Sequence, residues 1–148
     1  MNYPTITVRQ PWATLLAFEV KTYETRSWRC EHRGPLAIHA SSMLHPDDRI
    51  WAQEDMNIAR LLRECGYEDV TDLPLGTVLA VGTLTQCYRT EAFGVLSRTE
   101  RALGDWSRGR WAWRIERVER LPEPVPAKGR LGLWHCEIDY HYRGGEAR

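Results

Sequence analysis

Apolar and polar positions alternate over residues 5–9, with Ile6 and Val8 facing one way, which predicts a strand. Gln10-Pro11 stops it and places proline at a helix N1 position. Trp12, Leu15 and Leu16 then recur at helical spacing, so a short helix is expected over about 11–19. Two further strands are predicted over 22–29 and, after the Arg33-Gly34-Pro35 turn, over 36–39. One long helix follows over about 46–65. Its signals are Pro46 at N1, Asp47 and Asp48 in the first turn, apolar Ile50, Trp51, Ile58, Leu61 and Leu62, and Gly66 past the end. A β-rich run over 77–87 reads as a central strand, with Gly82 marking a bulge or bend. Residues 89–110 lack an apolar period and read as a loop with a turn or two of helix. Trp111, Trp113 and Ile115 alternate with Ala112, Arg114 and Glu116 in a strand running toward Leu121. Pro122, Pro124 and Pro126 cannot donate to a ladder and predict an extended connection before a final strand over 131–138. The tail, about 141–148, is expected to fray. Five or more strands, two helices and few βα alternations predict an α+β fold: a small closed or nearly closed β-barrel with helices at its ends.

The 148 residues suit a single domain over 1–148, and 43% hydrophobic residues with seven Trp can fill its core. Twenty Lys and Arg balance twenty Asp and Glu, which excludes a histone-like or polybasic protein. The balance is uneven along the chain. Residues 47–72 carry eight acids against three Arg, so the helix over 47–65 offers an acidic face for a protein partner, and the rest of the chain is basic. No apolar run reaches the roughly 18 residues of a membrane span, and the first residues lack a signal-peptide pattern, so a cytoplasmic location is expected. Cys30, Cys65, Cys87 and Cys136 form no CxxC pair and the five His no HExxH pair. Reduced thiols are expected, and neither a metal nor a cofactor.

The densest polar cluster is Lys21-Thr22-Tyr23-Glu24-Thr25-Arg26-Ser27-Trp28, with Glu31-His32-Arg33-Gly34 close behind. It lies where a helix end meets a strand start, a place where small barrels open a cleft. In a regular strand Glu24, Arg26 and Trp28 share a face and Lys21 takes the other, so Lys21 and Glu24 converge only if the chain bends near Lys21. The competing reading is an edge strand whose solvated charges prevent edge-to-edge pairing.

Four segments, in order, resemble the ASC-1 homology (ASCH) domains of the PUA-like superfold. They are Ile6-x-Val8-x-Gln10-Pro11-Trp12-Ala13, the signature Gly-x-Lys-x-x-Glu-x-Arg appearing as Val20-Lys21-Thr22-Tyr23-Glu24-Thr25-Arg26, the Ser27-Trp28 extension, and His32-Arg33-Gly34-Pro35. The late run from Trp111-Ala112-Trp113 to Gly132-Leu133-Trp134 is also similar to the family's closing strands. Val20 is read as standing where the signature has glycine. The resemblance implies a barrel whose cleft is lined by Lys21, Glu24 and Arg26 and serves recognition of RNA, DNA or a modified nucleoside. Lys and Arg suit phosphate, a carboxylate can accept from a base amine, and Trp12 or Trp28 can offer a stacking face. Some similar domains are amidohydrolases of N4-acylated cytidine, with a Lys base, a Thr nucleophile and a supporting Glu. Lys21 and Glu24 would then be catalytic, but Glu24 stands where that type carries Thr.

A second cluster, Trp106 to Arg114, interleaves three Trp with Arg108, Arg110 and Arg114. Such interleaving suits single strands, where bases stack and Arg meets phosphate. Trp111 and Trp113 have the period of core residues, which leaves Trp106, Arg108, Arg110 and Arg114 as the candidate nucleic-acid surface. Arg33 is a candidate at the cleft rim, and His39 and His135 read as hydrogen-bonded barrel histidines. The leading expectation is nucleotide or nucleic-acid binding, followed by the amidohydrolase and then a protein-interaction module.

Overall fold

The computed structural model describes residues 1–146, and its first alternating stretch forms β1 (Asn2–Val8). Gln10 then starts the first helix, α1 (Trp12–Ala17): fully buried, it accepts from the Thr14 amide at 3.0 Å and donates to Pro74 O. One buried side chain thus replaces a missing helical partner and ties the helix to a distant turn. The strands that follow are β2 (Tyr23–Arg26) and β3 (Gly34–Ala40). β4 (Thr77–Arg89), β5 (Trp111–Pro126) and β6 (Leu133–Glu137) complete one sheet in the order β2-β5-β4-β3-β1-β6. β1 and β3 run parallel, and the other neighbours are antiparallel.

The sheet curls until β2, at one edge, faces β1. Arg26 of β2 donates to Thr7 O of β1 at 2.7 Å, although three strands separate them in the sheet. The barrel is therefore incomplete, its seam bridged by side chains rather than a ladder. Inside lie Ile6, Val8, Leu36, Ile38, Leu84 and Trp113, with Leu16 of α1 closing the layer. Gly82 marks one of three register shifts between β4 and β5, that between Val81 and Thr83, and a Cβ there would come within 2.8 Å of Ile115 Cγ2. The expected bulge is present.

The predicted long helix is two, α2 (Pro46–Glu54) and α3 (Met56–Glu64). Asp55 breaks it. Its backbone is extended and its carboxylate accepts from the Asn57 and Ile58 amides, which makes it the N-cap of the second helix. The proline-rich connection is also corrected, because β5 continues to Pro126 opposite Thr77. Val78 pairs with Val125 and Ala80 with Arg120, so Pro122 and Pro124 sit in an excursion that asks nothing of their missing N–H. Residues 90–110 contain one 3-10 turn and α4 (Arg98–Ala102).

The expected fraying tail lies against the outer sheet face as far as it is described. Tyr142 packs on the cluster of Tyr3, Val81 and Trp134, and its hydroxyl bonds Thr83 and Arg117 O. Ala147 and Arg148 lie outside the described residues. His135 is exposed rather than hydrogen-bonded inside, because it alternates along β6 with Trp134 and Cys136, whose side chains are the ones packed on the sheet.

His39, in contrast, is fully buried in a relay: Trp134 Nε1 donates to Thr7 Oγ1, which faces His39 Nδ1 at 3.2 Å, while Nε2 meets Ala127 O at 2.7 Å. A carbonyl only accepts, so Nε2 carries the proton and the Thr7 hydroxyl donates to Nδ1. Gly129 passes so close that a Cβ would lie 2.8 Å from His39 Cε1.

Two outcomes follow from these elements. Asp55→Ala is expected to lower stability by about 1 kcal/mol in urea unfolding. Burial also holds the His39 imidazole below its ordinary value of 6.5. The unfolded state then binds the extra proton, so stability falls as pH drops below about 6.5 toward the depressed folded value. Melting curves of His39→Gln between pH 7 and pH 5 are expected to fall less steeply than those of the parent, an interval set by the direction of that shift.

Candidate functional site

The bend needed near Lys21 is present. Glu19 adopts a left-handed backbone, φ 58°, and the Val20 and Lys21 amides both turn back to Leu15 O. The strained position is therefore Glu19 and not Val20. Counting Gly-x-Lys back from Lys21 reaches Glu19, so the departure from the signature belongs there. Because β2 starts only at Tyr23, Lys21 is free of the strand's alternation and swings to the side of Glu24.

Lys21, Glu24, Arg26 and Trp12 share a cleft of about 470 Å³ at the barrel seam. Lys21 is 2% exposed; its Nζ donates to Leu103 O at 2.9 Å and stands 3.6 Å from Glu24 Oε1. The other carboxylate oxygen of Glu24 takes Arg26 Nε at 3.0 Å and faces Nη2 at 2.9 Å. One carboxylate thus separates two cations, and Arg26 carries the chain of contacts on to Thr7 O. Buried charges of this kind persist only when each is matched.

The opposite wall comes from residues 102–105. Thr90 ties the neck of this long excursion, its amide donating to Arg110 O and its hydroxyl to Ser107 O. Outside the sheet, Phe93 and Trp106 pack edge-on against Tyr23. Gly104 allows the wall to approach, since a Cβ there would sit 3.0 Å from Trp106 Nε1 and 3.5 Å from Lys21 Nζ. The Asp105 amide donates to Thr25 Oγ1, and the Ser107 hydroxyl and amide hold the Asp105 carboxyl below the usual carboxylate range. Arg110 Nη2 donates to Thr25 O; its Nε is buried with no hydrogen-bond partner, the nearest carboxylate being Asp105 at 3.4 Å.

The remaining sequence candidates lie elsewhere. Trp28 packs edge-on against Trp113, and Arg33 donates to Cys30 O and His32 O; neither lines the cleft. Trp106 gives its N–H to Glu100 O, Arg114 pairs with Glu116 at 2.8 Å, and Arg108 is exposed. Arg110 moves from the proposed outer surface into the cleft. Trp12 stacks on Trp51 at 5.3 Å, so one of its faces is already covered. Thr7, Arg9, Leu103, Gly104 and Asp105 also line the cleft, and no spacing in the sequence announces them.

The sequence pattern of the ASCH domain matches residues 6–124, from β1 into the proline excursion of β5. The chain belongs to the ASCH domain family. This ASCH domain is 27% identical over 136 residues to activating signal cointegrator 1 of Homo sapiens and 26% identical to that of Mus musculus. The alignments cover 92% of this chain but 22% of each relative, so the chain spans about a fifth of their length. No helix among the described residues is long and apolar enough to cross a membrane.

The matched charges of this ASCH domain are testable as a unit. Glu24→Ala strands the buried Lys21 ammonium and the half-buried Arg26 guanidinium and is expected to cost about 3 kcal/mol in urea unfolding, whereas Lys21→Met with Glu24→Leu costs less than the sum of the single changes.

Proposed function

We propose that this domain binds a nucleotide, free or within RNA or DNA, in the seam cleft, and that it does so in the cytosol. The observation that carries the reading is the convergence of Lys21, Glu24 and Arg26 on one hollow, joined there by Arg110. The lining residues hold four cations, Arg9, Lys21, Arg26 and Arg110, against the carboxylates of Glu24, Asp105 and Asp48, the last of which pairs with Arg9 from outside the lining. This local excess favours an anionic ligand although the whole chain is neutral. The guanidinium edges and the Lys21 ammonium suit phosphate, the Glu24 carboxylate suits the amine of a base such as cytosine, and Trp12 forms an indole wall braced by Trp51.

The amidohydrolase reading has less behind it. A lysine acting as base needs a lone pair aimed at a hydroxyl, but Lys21 Nζ donates to Leu103 O and faces a carboxylate. The name of the relatives, an activating signal cointegrator, gives a protein-interaction module a place as a third reading, with the acidic α2 and α3 as its surface.

Calorimetric titration with cytidine and uridine 5′-monophosphates tests the proposal. Saturable binding is expected, stronger for cytidine and weakened by salt, and Glu24→Gln is expected to remove about 1–3 kcal/mol of that preference. Absence of saturable binding by both nucleotides and by single strands overturns it. Release of cytidine from N4-acetylcytidine by the parent protein, lost in Lys21→Ala, transfers the cleft to the hydrolase reading.

A further inference from the structure

The register of β2, β5 and β4 sets three residues in one row across the barrel mouth: Arg26 stands opposite Trp111, and Trp111 opposite Arg89. Residues opposite one another point to the same face of a sheet, here the inner face that also carries Glu24 and Trp113. Arg26 already lines the cleft, so the row leads out of it. Trp111 is half-buried and packs against the barrel core, which fixes its ring. Two guanidiniums lie over that ring, Arg89 with its Cζ 4.8 Å from the centroid and Arg29 at 5.8 Å.

An indole that holds a guanidinium by its flat face leaves the N–H edge free to meet oxygen. The present partners of those edges are loosely held. Arg29 pairs with Glu31 at 3.1 Å, with side chains 53% and 78% exposed. Arg89 pairs with Glu91 at 3.4 Å, and Glu91 also accepts from the Gly109 amide at 2.8 Å, so it keeps a donor when Arg89 turns away. Exposed pairs of this kind contribute little and exchange readily for a phosphate.

We propose that the row Arg26–Trp111–Arg89, with Arg29, continues the cleft as a phosphate-binding step for the neighbouring nucleotide, so that the ligand is a single-stranded polynucleotide rather than a free mononucleotide. The inference rests on the nucleotide reading of the cleft and names its substrate class. A duplex is a poorer fit, because the row lies on the concave face of the curled sheet and beside the 102–105 wall.

Fluorescence anisotropy with labelled seven-residue oligocytidines, ribose and deoxyribose, with a duplex of the same length, and with cytidine 5′-monophosphate as competitor tests this. Either single strand is expected to bind at least tenfold more tightly than the mononucleotide and more tightly than the duplex. Replacing both guanidiniums, Arg29→Ala with Arg89→Ala, is expected to reduce the log–log salt slope by roughly 0.7 for each. The same double variant should lose more affinity for the heptamers than for the mononucleotide, and Arg89→Glu more than Arg89→Ala. All three changes are at the exposed side chains of Arg29 and Arg89, so the fold is retained. The inference is overturned if both heptamers bind no better than the mononucleotide, or if the double variant keeps the parent slope. Saturable mononucleotide binding without a heptamer gain leaves the cleft reading standing and removes this one. Heptamer binding that depends on Arg29 and Arg89 but ignores Glu24→Gln removes the base contact at Glu24 and keeps the phosphate row.

Discussion

The Glu24 carboxylate is the pivot of the molecule's polar interior. With Lys21 at 3.6 Å on one oxygen and Arg26 at 2.9 Å on the other, it lets a buried ammonium and a half-buried guanidinium stand side by side. Arg26 in turn reaches across the seam to Thr7 O and does for the barrel what a strand ladder does elsewhere. The arrangement is economical in backbone but demanding in chemistry, because a charge out of water is tolerated only while its partners stay in place. A seam held by side chains instead of amides also leaves a hollow between the strands. Closure of the fold and existence of the cleft are consequences of the same contacts.

Much of this is written in local spacing, and what is not depends on contacts remote in sequence. The period of Ile6 and Val8, the apolar stripe of α1 and the bulge at Gly82 all follow from near neighbours, and the structure has them. The family signature locates Lys21, Glu24 and Arg26 in one short stretch, but alternation alone sends Lys21 to the opposite face. Only the left-handed turn at Glu19, a residue without the glycine's freedom, brings it round. Asp55 illustrates the reverse case. Its apolar neighbours keep helical period on both sides, so the pattern reads as continuous, while the carboxylate prefers to cap the amides of Asn57 and Ile58.

The farther wall of the cleft is the part no pattern announces. Residues 102–105 reach it from a stretch without apolar period, tethered at its neck by Thr90 and Ser107 and by the aromatic packing of Phe93 and Trp106 on Tyr23. Arg110 looks in sequence like one cation of a surface run, yet its donation to Thr25 O draws it into the cleft. Strands β4 and β5 determine that outcome, since their long antiparallel pairing carries the excursion to the edge where β2 sits.

Parallel neighbours cannot be joined by a hairpin, so the pairing of β1 with β3 obliges the chain to leave the sheet and return. Everything from Arg9 to Arg33 belongs to that single excursion, and on the way it deposits β2 at the far edge. The contact between Arg26 and Thr7 therefore fastens the excursion to its own starting point, as a buckle fastens a strap. Its length is fixed from both ends: a residue gained or lost between Val8 and Lys21 would misplace the buckle and the charged groups together, so tolerance for insertions is confined to the turns leading from β2 into β3.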